Sequence, residues 1–118
     1  MADYGHVVAW KGIRQGREMK ALEVWGDTLE FYEKARANGQ IDSYDTVLIE
    51  PSGDGLPIGM LTVWGTEEQV DAFVRDEARV RLQTRAGFVT DGLGVARCAR
   101  GQAVADGVGQ FTEIASGF

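Results

Sequence analysis

The sequence predicts an α+β domain in the order β-α-β-β-α-β, followed by an additional C-terminal helix. Three features of its 118 residues carry that expectation. Two stretches, about 17–38 and 67–86, place apolar residues at the three- and four-residue spacing of one helical face. Four short β-prone runs surround them. Glycine occupies 16 positions, about twice its usual share, and many of these fall between the periodic segments.

The first strand spans about 5–13. His6-Val7-Val8-Ala9-Trp10 is short, apolar and β-prone, and Gly12 and Gly16 end the run. The first helix spans about 17–38 and stops at Asn38-Gly39, a C-terminal signal. Its main stripe is Met19, Leu22, Trp25, Leu29 and Tyr32, and a second, almost opposite, is Val24, Phe31 and Ala35. The second stripe needs a cover. The expected cover is the C-terminal helix, through Val108 and Phe111, within one chain or across a dimer.

The second strand spans 41–50, with Tyr44, Thr46 and Leu48 on one face and Asp45, Val47 and Ile49 on the other. Glu50-Pro51-Ser52-Gly53-Asp54-Gly55 is a turn by its Pro, Asp and Gly. It makes a hairpin with the third strand at 58–64, which Pro57 can start but not occupy centrally. Thr66-Glu67-Glu68-Gln69 fits a capping box. The helix it starts puts Val70, Phe73, Val74 and Val80 on its apolar side and ends at Gly87. A short fourth strand spans 93–98. Val104, Val108, Phe111 and Ala115 then mark a helix over about 102–116, against the low helix propensity of Gly107 and Gly109. Residues 1–118 read as one domain.

Composition removes several function classes. Asp and Glu number 18 against 12 Lys and Arg, and the basic residues are scattered. Nucleic acid is bound by clustered Lys and Arg that displace counterions, so it is not an expected partner. The same balance argues against an anionic membrane surface. No apolar run approaches the roughly 20 residues that span a bilayer, and the N-terminus lacks a basic-then-apolar leader. Cys98 is the single cysteine, so no internal disulfide is expected. The expectation is a cytoplasmic protein with Cys98 as a small core residue. There is no CxxC, no HExxH, no phosphate-binding GxxxxGK and no GxSxG. Gly92-x-Gly94 lacks the third glycine of a dinucleotide site, and a strand rather than a helix follows it.

The element order is a split βαβ arrangement. Two right-handed crossovers interleave into an antiparallel four-stranded sheet with both helices on one face. The other face is bare. On the first strand the two alternating sets are Val7, Ala9, Lys11 and His6, Val8, Trp10; on the third they are Leu61, Val63 and Met60, Thr62, Trp64. Neither set suits water. A sheet apolar on both faces needs a second layer, and a second copy of the chain is its simplest source.

The element order, the hairpin Tyr44-Asp45-Thr46-Val47-Leu48-Ile49-Glu50-Pro51 and the segment Arg85-Ala86-Gly87-Phe88-Val89-Thr90-Asp91-Gly92-Leu93-Gly94 resemble the dimeric α/β-barrel superfamily of ferredoxin-like proteins. The resemblance is to small uncharacterised bacterial members and covers about residues 4–100. It implies a homodimer in which two sheets pack face to face into a barrel. The superfamily includes cofactor-independent monooxygenases of aromatic polyketides, haem-degrading and haem-binding enzymes, muconolactone isomerases and stress-response proteins. The implied activity therefore needs no cofactor, with haem as the alternative. No catalytic set carries over residue by residue.

Candidate site residues come from the chain itself. His6 is the only histidine, the one side chain whose ordinary pKa lies near neutrality. Besides Cys98 and Met, it is the only usual axial ligand for haem. Placed at a strand start near the sheet edge, its plainer role is an exposed or hydrogen-bonded terminal residue. Trp10, Tyr44 and Trp64 share a parity with His6, Met60 and Thr62. They line an aromatic pocket or pack in a core or interface, and a one-residue slip moves them to the helix side. Glu77 and Arg81, one turn apart, fall within the second helix's apolar stripe. They make a buried pair, or point outward if the helix breaks near Ala78. Arg85 and Asp91 flank that helix's end, as a loop-ordering salt bridge or an anion contact. Asp42 and Asp45 lack a third ligand, so no metal is expected.

Two functions compete. The first is an oxygenase- or isomerase-type enzyme with an apolar cleft between sheet and helices for an aromatic ligand. It would act by positioning its substrate and stabilising a developing anion, with His6, Tyr44 and Arg85 as catalytic candidates and Trp10, Trp64, Glu77 and Arg81 as ligand contacts. The alternative is a non-catalytic dimeric binding or structural protein. An RNA binder of the same topology fails on charge and on the missing aromatic-basic motif.

Overall fold

The computed structural model describes residues 2–50 and 55–117. Along it run β1 (Tyr4–Trp10), β2 (Gly12–Ile13), α1 (Glu18–Ala37), β3 (Ser43–Leu48), β4 (Gly59–Gly65), α2 (Glu67–Arg75), α3 (Glu77–Val89), β5 (Thr90–Asp91), β6 (Gly94–Ala99) and α4 (Gln102–Ser116). The four longer strands form one antiparallel sheet in the order β3-β4-β1-β6, and β2 pairs with β5 beside it. The expected βαββαβ order with a tail helix is what the chain adopts. The turn expected at 50–55 lies mostly outside the described residues.

Antiparallel pairing decides which side chains share a face. His6 pairs with Val63, Val8 with Leu61, Trp10 with Gly59 and Tyr44 with Val63. Even-numbered positions of β1 and β3 thus lie beside odd-numbered positions of β4. These residues face the helices, where Tyr32, Ala35, Ile41, Leu61, Val63 and Phe73 form the buried core. The opposite face carries Val7, Ala9, Val47, Met60, Thr62, Trp64 and Cys98. This corrects the expected grouping: Trp64, Met60 and Thr62 lie on the open face, while His6, Trp10 and Tyr44 lie under the helices. Cys98 is half-buried on the open face and not a core residue. Burial pushes its thiol pKa up.

The expected second helix is two helices, and it continues past Gly87 to Val89. Thr66 and Gln69 make the reciprocal capping box that starts α2. Asp76 then takes an extended conformation, and its carboxylate accepts the Ala78 N–H at 2.8 Å and the Arg79 N–H at 3.4 Å. Aspartate is a poor interior helix residue and a strong N-cap, so the chain breaks and restarts there. The break turns Glu77 and Arg81 outward and Arg79 inward. Glu77 and Arg81 pair at 2.9 Å with about four-fifths of each side chain in solvent, so neither is buried. Asp76→Ala is expected to cost about 1 kcal/mol through loss of the cap, and Asp76→Asn much less. Equal urea midpoints for wild type and Asp76→Ala would show that the cap does not hold this break.

Both stripes of α1 are used within the chain. Val24, Tyr32 and Ala35 are buried, Phe31 packs on Phe73 with ring centroids 5.8 Å apart, and α3 lies alongside. Met19 and Leu22, expected in the main stripe, are exposed. The tail helix covers neither stripe, and none of its residues is buried.

Candidate ligand-binding site

An open cavity of about 380 Å³ lies between the end of the sheet and the first half of α1. Its wall is almost wholly apolar. Trp10 and Trp25 meet edge to face at 5.5 Å on one side. Leu22, Leu48, Leu61 and Leu93 supply most of the rest. The fold builds it where the first turns of α1 meet the ends of β1 and β3 and the C-terminal end of α3.

The threonines and Glu18 at the wall are already engaged. Thr28 donates to the Val24 carbonyl at 2.7 Å, and Thr90 donates to the Ala86 carbonyl at 2.7 Å. The Glu18 carboxylate accepts the Gly16 N–H at 3.0 and 3.1 Å. An apolar pocket with few polar groups is the usual form of a small-molecule site. The arrangement can desolvate and orient a flat apolar ligand between Trp10 and Trp25. Among its lining residues the ionisable side chain is Glu18.

No protein-family model matches the chain, and no curated protein sequence matches it. Solved structures match its fold. A conserved protein from Methanosarcina mazei Go1 superposes with a TM-score of 0.63 at 13% identity, covering 85% of this chain and 95% of that one. A dimeric ferredoxin-like protein of unknown function from Jannaschia sp. CCS1 gives 0.61 at 14% identity, covering 82% and 98%. SnoaB, a cofactor-independent oxygenase from Streptomyces nogalater, gives 0.57 at 11% identity, covering 85% and 95%. The fold is ferredoxin-like.

Within this ferredoxin-like frame the sequence-predicted site residues are scattered. Only Trp10 lines the cavity. His6 is internal, because β1 lies between β4 and β6, and it is 5% exposed, not at an edge as expected. Its Nδ1 has no hydrogen-bond partner. Burial, reinforced by the charges of Arg79 and Arg97, lowers its pKa from 6.5 to about 4. A histidine sealed under helices offers no open position to a haem iron, so the residues do not fit a His6-ligated haem.

Tyr44 donates to Glu33 at 2.9 Å on the far side of α1 and packs against Tyr32. Trp64 is held on the open face by Asp45, which accepts its indole N–H at 3.0 Å, and by Arg100 stacked at 4.2 Å. Asp45 is therefore a tryptophan partner. Arg85 pairs with Asp27 at 2.8 Å, and Asp91 lies 3.6 Å from Arg14, so the Arg85–Asp91 bridge does not form. Arg81 and Arg85 share a solvated groove with Asp27, Glu30 and Lys34, in which Lys34 pairs with Glu30. Among the described residues no cluster of His, Cys, Asp and Glu has metal-binding geometry.

Apart from Trp10, sequence reasoning assigned none of the wall residues to a site, Leu22, Trp25, Leu48 and Leu93 among them. One signal was present: Ala21, Leu22, Val24 and Trp25 make the start of α1 apolar around more of its circumference than one packing face needs.

Proposed function

We propose that this protein is a homodimer, paired through its open sheet face, that binds a small flat apolar molecule in the cavity between α1 and the strand ends. The observation that carries the reading is the apolar wall of Trp10, Trp25, Leu22 and Leu93 around a volume suited to an aromatic ligand of two or three rings. The dimer rests on the exposed apolar open face and on similar chains that are dimeric. Binding without chemistry is favoured by the engaged threonines and by a wall whose ionisable side chain, Glu18, is held by the Gly16 N–H. The second reading, a cofactor-independent oxygenase or isomerase on an aromatic substrate, draws on SnoaB, whose fold is shared. In that reading the cavity contributes positioning and water exclusion.

The test uses anilinonaphthalene sulfonate. Saturable binding near one per chain is expected, with quenching of tryptophan emission. Leu22→Glu places a charge at a solvent-facing wall position and is expected to weaken the probe at least tenfold without unfolding the protein. Equal affinity in wild type and variant would place the probe elsewhere and remove the reading. Light scattering should give twice the 12.9 kDa chain mass; a monomer at micromolar concentration would remove the dimer.

A further inference from the structure

Val104, Val108, Phe111 and Ile114 form an apolar stripe along α4 and are between 47% and 71% exposed. Only the base of this helix is tied down. The Asp3 carboxylate accepts the Gln102 N–H at 3.2 Å, and Arg100 donates to the Ala2 carbonyl. The radius of gyration is 15.9 Å, against about 13.5 Å for a compact chain of this length. α4 is an arm that reaches away from the body, and such a stripe calls for a partner.

The mouth of the cavity is a second uncovered apolar surface. Leu22 and Leu48 line it and are mostly exposed, and Met19 and Phe88 are exposed on the same segments of α1 and α3. Trp10 ends β1, Leu48 ends β3, and Leu93 precedes β6. The mouth therefore lies at one end of the sheet. α4 leaves from the other end, where Tyr4 pairs with Ala99. About 20 Å of strand separates the two, and β6 runs away from the cavity. In this structure the chain's own arm points away from its own site and leaves it uncapped.

A second copy can cap it. The argument rests on the face-to-face dimer proposed above. Sheets packed that way lie about 10 Å apart. A two-fold axis that reverses strand direction brings each arm beside the other chain's cavity end, and 15 helical residues reach about 22 Å. Charge agrees. α4 carries Asp106 and Glu113 and no Lys or Arg, while Lys11, Arg14 and Arg17 adjoin the wall residues Trp10, Ile13 and Glu18 in sequence, with Arg14 3.6 Å from Asp91 and Glu18 itself at the wall. Two arms packed on each other would instead bring like charges together. We infer that α4 of a second copy caps the apolar cavity, so that each ligand site is built from two chains, with Phe111 of one meeting Leu22 of the other.

Cross-linking tests this in the full chain carrying Cys98→Ser. One preparation adds Phe111→Cys, another adds Leu22→Cys, and the two are mixed, allowed to exchange subunits and treated with a short bismaleimide. A heterodimeric 111-to-22 cross-link dominating over 111-to-111 is the expected result. A dominant 111-to-111 product means that the arms pair with each other and overturns the cap. No cross-link in a sample that scatters as a dimer overturns the cap and leaves the dimer standing. A monomeric sample overturns both. Phe111→Glu gives an independent readout: the probe should bind at least fivefold more weakly at unchanged secondary structure, and unchanged affinity counts against the cap.

Discussion

Replacing Gly59 with alanine is expected to destabilise the protein by about 1–3 kcal/mol, the usual cost of forcing extra volume into a packed site, and to weaken ligand in the cavity. Gly59 pairs directly with Trp10 across β1 and β4, and the indole lies over the glycine. A Cβ there would stand 2.3 Å from Trp10 Cζ2 and 2.6 Å from Cε2. Relief requires the whole ring to move, yet Trp25 packs against it edge to face at 5.5 Å. The free direction is the cavity. Alanine also stiffens the unfolded chain, which favours the fold by about 0.4–1 kcal/mol, but the clash is the larger effect. Gly26→Ala is the control: it lies inside α1 with nothing within 4 Å of the added carbon, so helix propensity alone should stabilise it by about 0.5–1 kcal/mol. Urea denaturation measures both. If Gly59→Ala matches wild type in stability and in probe affinity, Trp10 does not rest on Gly59.

The same device recurs on the other face. Gly5 pairs with Trp64, and a Cβ on Gly5 would meet that indole at 2.8 Å. Each face of the sheet thus carries one tryptophan laid over a cross-strand glycine. The sequence shows both glycines and both tryptophans, but the pairing is a property of register, and register is what local pattern specifies least. That is why the element order was legible while the aromatic grouping was not. Apolar periodicity placed both helical stretches, and turn residues bounded the strands. The relative parity of β1 and β4, however, depends on where the chains align after the crossover. The outward turn of Glu77 and Arg81 through a break near Ala78 was legible, and the break falls at Asp76, whose N-cap also turns Arg79 inward. The cavity was legible only in outline, because its wall draws on α1, the strand ends and the end of α3, and their meeting depends on tertiary packing and not on any motif. The capping box at Thr66 and Gln69 was legible in full, since both partners lie within one turn.

Acid is expected to loosen the fold through His6, and the sign follows from where the proton binds. The folded-state pKa is lowered from 6.5 to about 4 by burial and by the nearby charges of Arg79 and Arg97. Between those values the unfolded chain holds a proton at this position and the folded chain does not. Stability is therefore complete above pH 6.5, falls as the pH drops toward 4, and is lost by roughly 3 kcal/mol at the end of that window, at about 1.4 kcal/mol per unit. Nothing nearby compensates. Nδ1 has no partner, and the buried Arg79 donates to the Val74 carbonyl and to Gln83, not to a carboxylate. Protonation would add a second positive charge to a desolvated site that already holds one. His6→Leu removes the titrating group and the unpartnered nitrogen together. It should match or exceed wild type in stability at pH 7.5, and the two should diverge steadily down to pH 4, with the variant the more stable. The Glu33 carboxylate, lowered from 4.5 to about 2 by its bonds to Arg36 and Tyr44, also loses stabilisation as the pH falls through the low end of this window, but equally in both proteins. Free energies of unfolding measured every half unit from pH 7.5 to 4 decide the matter. If the wild-type and His6→Leu curves stay parallel, the buried imidazole is not what acid attacks.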